Sequence, residues 1–213
     1  PEVNSGGGPW YTPSVDVETG IVYWGIANPA PFPGTPEHPN GSSRPGPNLY
    51  TNSVLAVDAR TGEIVWHHQA VPHDLFDRDL VHTLVVTDAS GDDVVVGTGK
   101  MGRVIGLDPA SGELRWDTPV GEHDNDDLTE LEGPTAVLPG TYGGVLTPPA
   151  AADGVVYAAV VNAPTTLSPD QPSYIGSDLG TLPGEVVAVD ATDGDLLWST
   201  EVPGDPLGGT TVV

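Results

Sequence analysis

The chain has 213 residues, with 28 Gly, 23 Pro, 38% hydrophobic and 17% charged residues, the composition of an all-β protein with one sizeable core and many turns. Six basic against 30 acidic residues give a net charge of −24, a field that repels phosphate backbones and anionic lipid and so disfavours nucleic-acid and peripheral-membrane roles. With no Cys, disulfides and thiolate metal sites are excluded, and no run of about 18 apolar residues suits a membrane-spanning helix.

The start, Pro1-Glu2-Val3-Asn4, has neither a basic nor an apolar leader segment and no initiator Met, and the end, Thr210-Thr211-Val212-Val213, reads as a strand. Both native ends are therefore expected to lie outside the chain. A glycine run, Gly6-Gly7-Gly8, precedes Pro9 and Trp10, and a hairpin pattern follows from Pro13 to Gly25. Next comes the phrase NPAPFPG (residues 28–34) and a Pro- and Gly-rich insert up to Tyr50.

The phrase VLAVDARTGEIVW (54–66) then introduces a repeat. It returns as VIGLDPASGELRW (104–116) and as VVAVDATDGDLLW (186–198), with Gly four and Trp eight residues after Asp each time. Physically each copy is a hairpin: a β-branched strand, a turn in which Asp accepts from backbone N–H groups while Gly supplies positive φ, and a second strand ending in Trp. A large ring at a fixed offset is expected to dock between neighbouring units, its N–H on a backbone acceptor. A second hairpin precedes each copy, at 13–25, 84–97 and 149–158, so that two hairpins make a four-stranded antiparallel sheet. Asp16, Gly20 and Trp24 match the spacing but read as a first hairpin, because residues 155–157 repeat the context without Trp.

Sheets of this kind in series read as blades of a β-propeller, with approximate spans 9–70, 80–120 and 143–203 and the beginning of a further blade at 207–213. Closed propellers need roughly four to eight blades, and about three and a half are expected here, which would leave two sheet edges unpaired. Between the strands, VPHDLFDRDL (71–80) gathers Asp74, Asp77 and Asp79, where oxygen ligands for a hard cation, a carboxylate base or a plain solvated loop are all readings. His73 alone reads as a satisfied loop histidine. Lys100, in GTGKMGR (97–103), stands out because only six residues are basic. The polar stretch GEHDNDD (121–127) supports no more than a loop role.

Taken together, GIANPAP (25–31), an Asp-Thr-Gly-Trp hairpin and then PHDLFD (72–77) resemble the heart of the pyrroloquinoline-quinone (PQQ) dependent alcohol, methanol and membrane glucose dehydrogenases, a family of eight-bladed propellers. The resemblance runs from Gly6 to Val213, and it implies an internal fragment of such an enzyme, with other blades missing, inactive alone and located outside the cytoplasm. It implies that Trp10 is the ring on which the quinone lies, that Asn28 is an amide ligand of the metal, and that Asp77 is both metal neighbour and general base. Lys100 resembles the cation that hydrogen-bonds the quinone carbonyls. Asp79 resembles the extra ligand of lanthanide-dependent members, although membrane glucose dehydrogenases carry an Asp there too; were residues 76–80 extended, alternation would put Asp77 and Asp79 on one face. The bland alternative for Asp79 is a loop cap or a pair with Arg78 or Arg103.

The cofactors so implied are PQQ and Ca²⁺ or a lanthanide ion; the substrate would be an alcohol or sugar, and the electron acceptor a cytochrome or a quinone. Departures from the family are a metal-binding Glu and paired cysteines that this chain lacks, and Leu146 and Thr147 where alcohol dehydrogenases place an Asn and a Trp. Another class of function is a non-catalytic PQQ-like propeller serving as a binding or assembly scaffold, which needs the hairpins and none of the site residues. A glycan-binding propeller has only aromatics such as Tyr11 and Tyr50 in its favour.

Overall fold

Each repeat phrase forms the last two strands of a four-stranded antiparallel sheet in the computed structural model, which describes residues 4–171 and 180–212. The first sheet runs through Ser14–Asp16, Ile21–Gly25, Ser53–Asp58 and Ile64–Gln69 in sequence order. The second contains Leu80–Thr87, Asp93–Gly99, Arg103–Leu107 and Leu114–Pro119, and the third Ala150–Ala152, Val155–Val161, Gly184–Asp190 and Leu196–Val202. Two short ladders complete the sheet structure, Ser5–Gly6 with Pro29–Ala30 and Thr135–Val137 with Thr165–Leu167. Among the described residues the only helical element is the 3₁₀ turn Pro39–Gly41. This is the all-β, partial-propeller architecture of four-stranded blades that the repeat implies.

The turn of the repeat follows from its chemistry. Asp58 Oδ1 accepts from the N–H groups of Arg60 and Thr61, Asp108 Oδ1 from those of Ala110 and Ser111, and Asp190 Oδ1 from that of Thr192. Four residues on, Gly62, Gly112 and Gly194 hold φ of 75°, 73° and 81°, where a side chain is strained. Each Trp lies across the ladder from a small residue two positions before the Asp, namely Ala56, Gly106 or Ala188, beside a register shift.

Two of these rings join the blades. Trp66 Nε1 donates to Pro109 O at 2.9 Å and Trp116 Nε1 to Ala191 O at 3.0 Å, in each case the carbonyl just after the next blade's Asp. The ring lies so close to the next turn that a Cβ on Gly112 would meet Trp66 at 2.4 Å, and one on Gly194 would meet Trp116 at 2.8 Å. Trp198, at the outer edge of the third sheet, is 44% exposed. Trp24 behaves differently and donates to Tyr11 O.

Blade stacking accounts for the unbroken run Val94-Val95-Val96. The second sheet is covered on both faces: Val94 and Val96 pack with Val156, Val187 and Val189 of the third sheet, and Val95 with Tyr23, Val54 and Trp66 of the first. Residues 207–212, expected to begin a further strand, run as coil, with Thr210 bonded to Pro148 O and Tyr157 O. Val213 lies outside the described residues.

Candidate functional site

The glycine run is a docking surface for the NPAP phrase. Gly7 N–H donates to Asn28 O and Ala27 N–H to Gly8 O, and a Cβ on Gly6 would strike Asn28 O at 2.3 Å. This contact sets the chain that carries Trp10 beside Asn28. Asn52 N–H, from the end of the insert, secures Ala27 O on the other side.

Residues 74–79 are organised by Asp74, whose buried carboxylate accepts from Phe76 N–H at 2.7 Å, Arg78 N–H at 2.7 Å and Asn52 Nδ2 at 2.9 Å. Arg44, itself buried, donates to Asp74 O. Asp74 is thus consumed as a clamp. The segment is not extended: Asp77 and Asp79 sit at φ of 65° and 28°, so their carboxylates converge through left-handed backbone rather than through strand alternation. Asp79 neither pairs with Arg78 nor with Arg103, which bond Pro139 O and Asp117 respectively.

Lys100 closes the arrangement from the end of the strand Asp93–Gly99. Gly99 is required there, since a Cβ would lie 1.8 Å from Asp79 O. The Lys100 ammonium stands 2.7 Å from Asp77 Oδ2 and 2.7 Å from Asp79 Oδ2, and 5.6 Å from the centre of the Trp10 ring. Asp79 Oδ1 accepts from Asn28 N–H at 2.9 Å, which ties the two phrases together. Asn28 Nδ2 donates to Pro29 O, and among the described residues its Oδ1 has no donor.

Burial dominates the electrostatics. It pushes the Asp77 carboxyl up to about 7, helped by the Asp79 charge and opposed by Lys100. For Lys100, burial works against the charge, but the two carboxylates outweigh it and hold its pKa above the ordinary lysine value.

Trp10, Asn28, Asp77, Asp79 and Lys100 all line one cavity of about 670 Å³, with Tyr11, Phe32, Val81, Tyr142, Leu146 and Thr147 among its other walls. The ring of Trp10 is 64% exposed and faces open space rather than core. His73 is a satisfied loop histidine, both nitrogens facing carbonyls, of Gly46 and Asn40. In the stretch 121–127, His123 is fixed between Asp126 and Gly102 O.

Sequence reasoning did not find the clamp of Asp74, Asn52 and Arg44, nor the pair Tyr11 and His82, whose rings lie 4.3 Å apart behind the cavity wall. Buried polar residues of this kind have no pattern along the chain.

The donor set suits a hard cation: two carboxylates and a free amide oxygen, with no nitrogen or sulfur ligand. Asp79 Oδ2, though 2.7 Å from the ammonium, is buried and lacks a well-directed hydrogen bond, so it retains a lone pair for a ligand. Among the described residues no three His, Cys, Asp or Glu side chains gather into a metal site, so this set is incomplete by itself.

Residues 2–102 match the family model of the β-propeller domain of glucose, ethanol and alcohol dehydrogenases of the PQQ type. The chain is 41% identical over 80 residues to the quinoprotein alcohol dehydrogenase PedH of Pseudomonas putida, covering 38% of this chain and 12% of that protein. It is 31% identical over 147 residues to the putative dehydrogenase XoxF of Paracoccus denitrificans, covering 62% of this chain and 23% of that one. The quinohemoprotein alcohol dehydrogenase of Comamonas testosteroni superposes with a TM-score of 0.78 at 21% identity, over 96% of this chain and 36% of that one. A europium-containing methanol dehydrogenase gives 0.71 at 19% identity, over 96% and 41%. The chain therefore spans well under half the length of these relatives; its residues 2–102 match the PQQ-type dehydrogenase propeller model, and it shares the propeller fold of these enzymes.

Proposed function

We propose that this chain supplies one part of the cofactor and metal site of a PQQ-dependent dehydrogenase that oxidises an alcohol or a sugar. The observation that carries the reading is the convergence of Trp10, Asn28, Asp77, Asp79 and Lys100, spread over positions 10 to 100, on a single cavity. A scaffold propeller needs the Trp joints between blades but has no use for that convergence.

In this reading Asn28, Asp77 and Asp79 hold a Ca²⁺ or lanthanide ion, Trp10 offers a flat apolar face to the quinone, and Lys100 directs its positive charge at the quinone's oxygens. When bound, PQQ supplies two-electron redox chemistry and the ion supplies Lewis-acid polarisation. Asp77 takes the proton of the substrate hydroxyl. The apolar walls, with Phe32, Val81 and Leu146, exclude water from that proton transfer. An acceptor that is a cytochrome or a quinone, and a location outside the cytoplasm, belong to the same proposal.

Reconstitution tests it. The chain, and any longer polypeptide that carries it, are loaded with PQQ plus Ca²⁺ or La³⁺, and dye-linked oxidation of a panel of alcohols and sugars is followed. Weak PQQ binding by the 213 residues alone is expected, since they match only part of each relative. Activity in the longer polypeptide that disappears in Asp77→Asn and Asn28→Ala supports the reading; no quinone binding and no turnover under any loading refutes it.

A further inference from the structure

Lys100 is the only lysine in the chain. Its ammonium is shared between two buried carboxylates at equal distances of 2.7 Å, with its side chain only 15% exposed. The trio sets one ammonium between two carboxyl groups in a setting where an isolated carboxylate pair would be costly. A lysine whose task was limited to a ligand's carbonyls would not need both acids. Here it stands between the very oxygens that a metal would use.

The two occupants are incompatible in place. A hard cation binds carboxylate oxygen at roughly 2.3–2.6 Å. An ammonium still bridging the same two oxygens would then sit within a few ångströms of the ion, with strong repulsion in a poorly screened cavity. The alternative is close at hand: the centre of the Trp10 ring lies 5.6 Å from Nζ, and the flexible four-carbon stem lets the charge move.

Building on the metal-site reading above, we propose that Lys100 is a tethered counter-cation that holds Asp77 and Asp79 together in the metal-free protein and leaves them for the Trp10 side of the cavity when the ion enters. Lys100 thereby keeps the two acids preformed, and it antagonises the metal at the same time. Such coupling is reciprocal: whatever Lys100 gains from the carboxylates, the ion must first displace.

Two measurements test this. Calorimetric titration with Ca²⁺ and with La³⁺ compares the wild-type chain with Lys100→Met and Lys100→Gln. Both variants are expected to bind the ion about tenfold tighter than wild type, because the competing charge is gone. In parallel, selective ¹³C-lysine labelling gives a single ε-methylene resonance, which is expected to move towards the Trp-shielded position as one equivalent of ion is added. The second measurement uses unaltered protein, so it stands even where the variants fail to fold.

Saturable ion binding with an unmoved lysine resonance, or with no tighter binding by variants that do fold, overturns the counter-cation role and leaves the metal site intact. No saturable binding by wild type or folded variants overturns the counter-cation role and shows that Asn28, Asp77 and Asp79 do not hold the ion unaided.

Discussion

His82 is 3% exposed, pressed against the Tyr11 ring, with its Nε2 buried and without a partner. Burial pulls its pKa down to about 4 from an ordinary 6.5, and the facing Leu146 carbonyl only partly opposes this. The folded chain therefore keeps His82 neutral while the unfolded chain protonates it. The sign follows: the stability that depends on neutral His82 is fully present above pH 6.5 and is lost progressively as pH falls towards 4. A drop of about 2.5 units at 1.36 kcal/mol each comes to about 3 kcal/mol.

His82→Phe removes the titration and preserves a ring against Tyr11. Asp77, whose pKa is raised, has the opposite linkage, and the other carboxylates titrate as well, so the informative quantity is the difference between wild type and variant. Urea unfolding followed by Trp fluorescence between pH 4 and 8, at constant high ionic strength, is expected to show wild type losing about 3 kcal/mol relative to His82→Phe between pH 7 and 4. Parallel curves, or an NMR titration that puts His82 near pH 6.5 in the folded state, would refute the reasoning.

The blade joints predict an asymmetry among tryptophans. Trp116→Ala removes a buried ring and its bond to Ala191 O and is expected to cost about 3–5 kcal/mol, whereas Trp198→Ala, at an exposed edge, costs under about 1 kcal/mol; denaturant midpoints read both. Asp74→Asn places an amide N–H₂ before donors that now meet carboxylate, so a loss of about 2–3 kcal/mol and roughly tenfold weaker metal binding are expected in the same calorimetric titration. The net charge of −24 makes self-repulsion a standing load on the fold, so raising NaCl from about 0.1 to 2 M is expected to raise Tm by several degrees; a flat or falling Tm would show that the acidic surface is not a destabilising field.

How far the sequence discloses this molecule depends on how local each cause is. The Asp-to-Gly turn is made within five residues, by Asp side chains bonding their own backbone and by Gly at positive φ, and so it is plain in all three copies. The Trp joint is legible for the same reason one step further out: its acceptor, Pro109 or Ala191, sits at a fixed place in an identical turn one blade on. The site is half legible. Residue types and spacing single out Asn28, Asp77, Asp79 and Lys100 through a family likeness, but not how they meet.

What brings them together is non-local. Asp77 and Asp79 point at one lysine because Asp74 bends the backbone into left-handed conformations, and Asp74 is itself held by Arg44 and Asn52 from an insert with no repeat and no period. Lys100 reaches both acids because Gly99 lets two backbones close to a separation at which any Cβ would collide. A hydrogen atom in place of a Cβ at Gly99 thus decides whether the chain's one lysine can stand between two buried carboxylates. That is why the rarity of Lys100 could mark it as unusual from the sequence, while the bridge it forms required the fold.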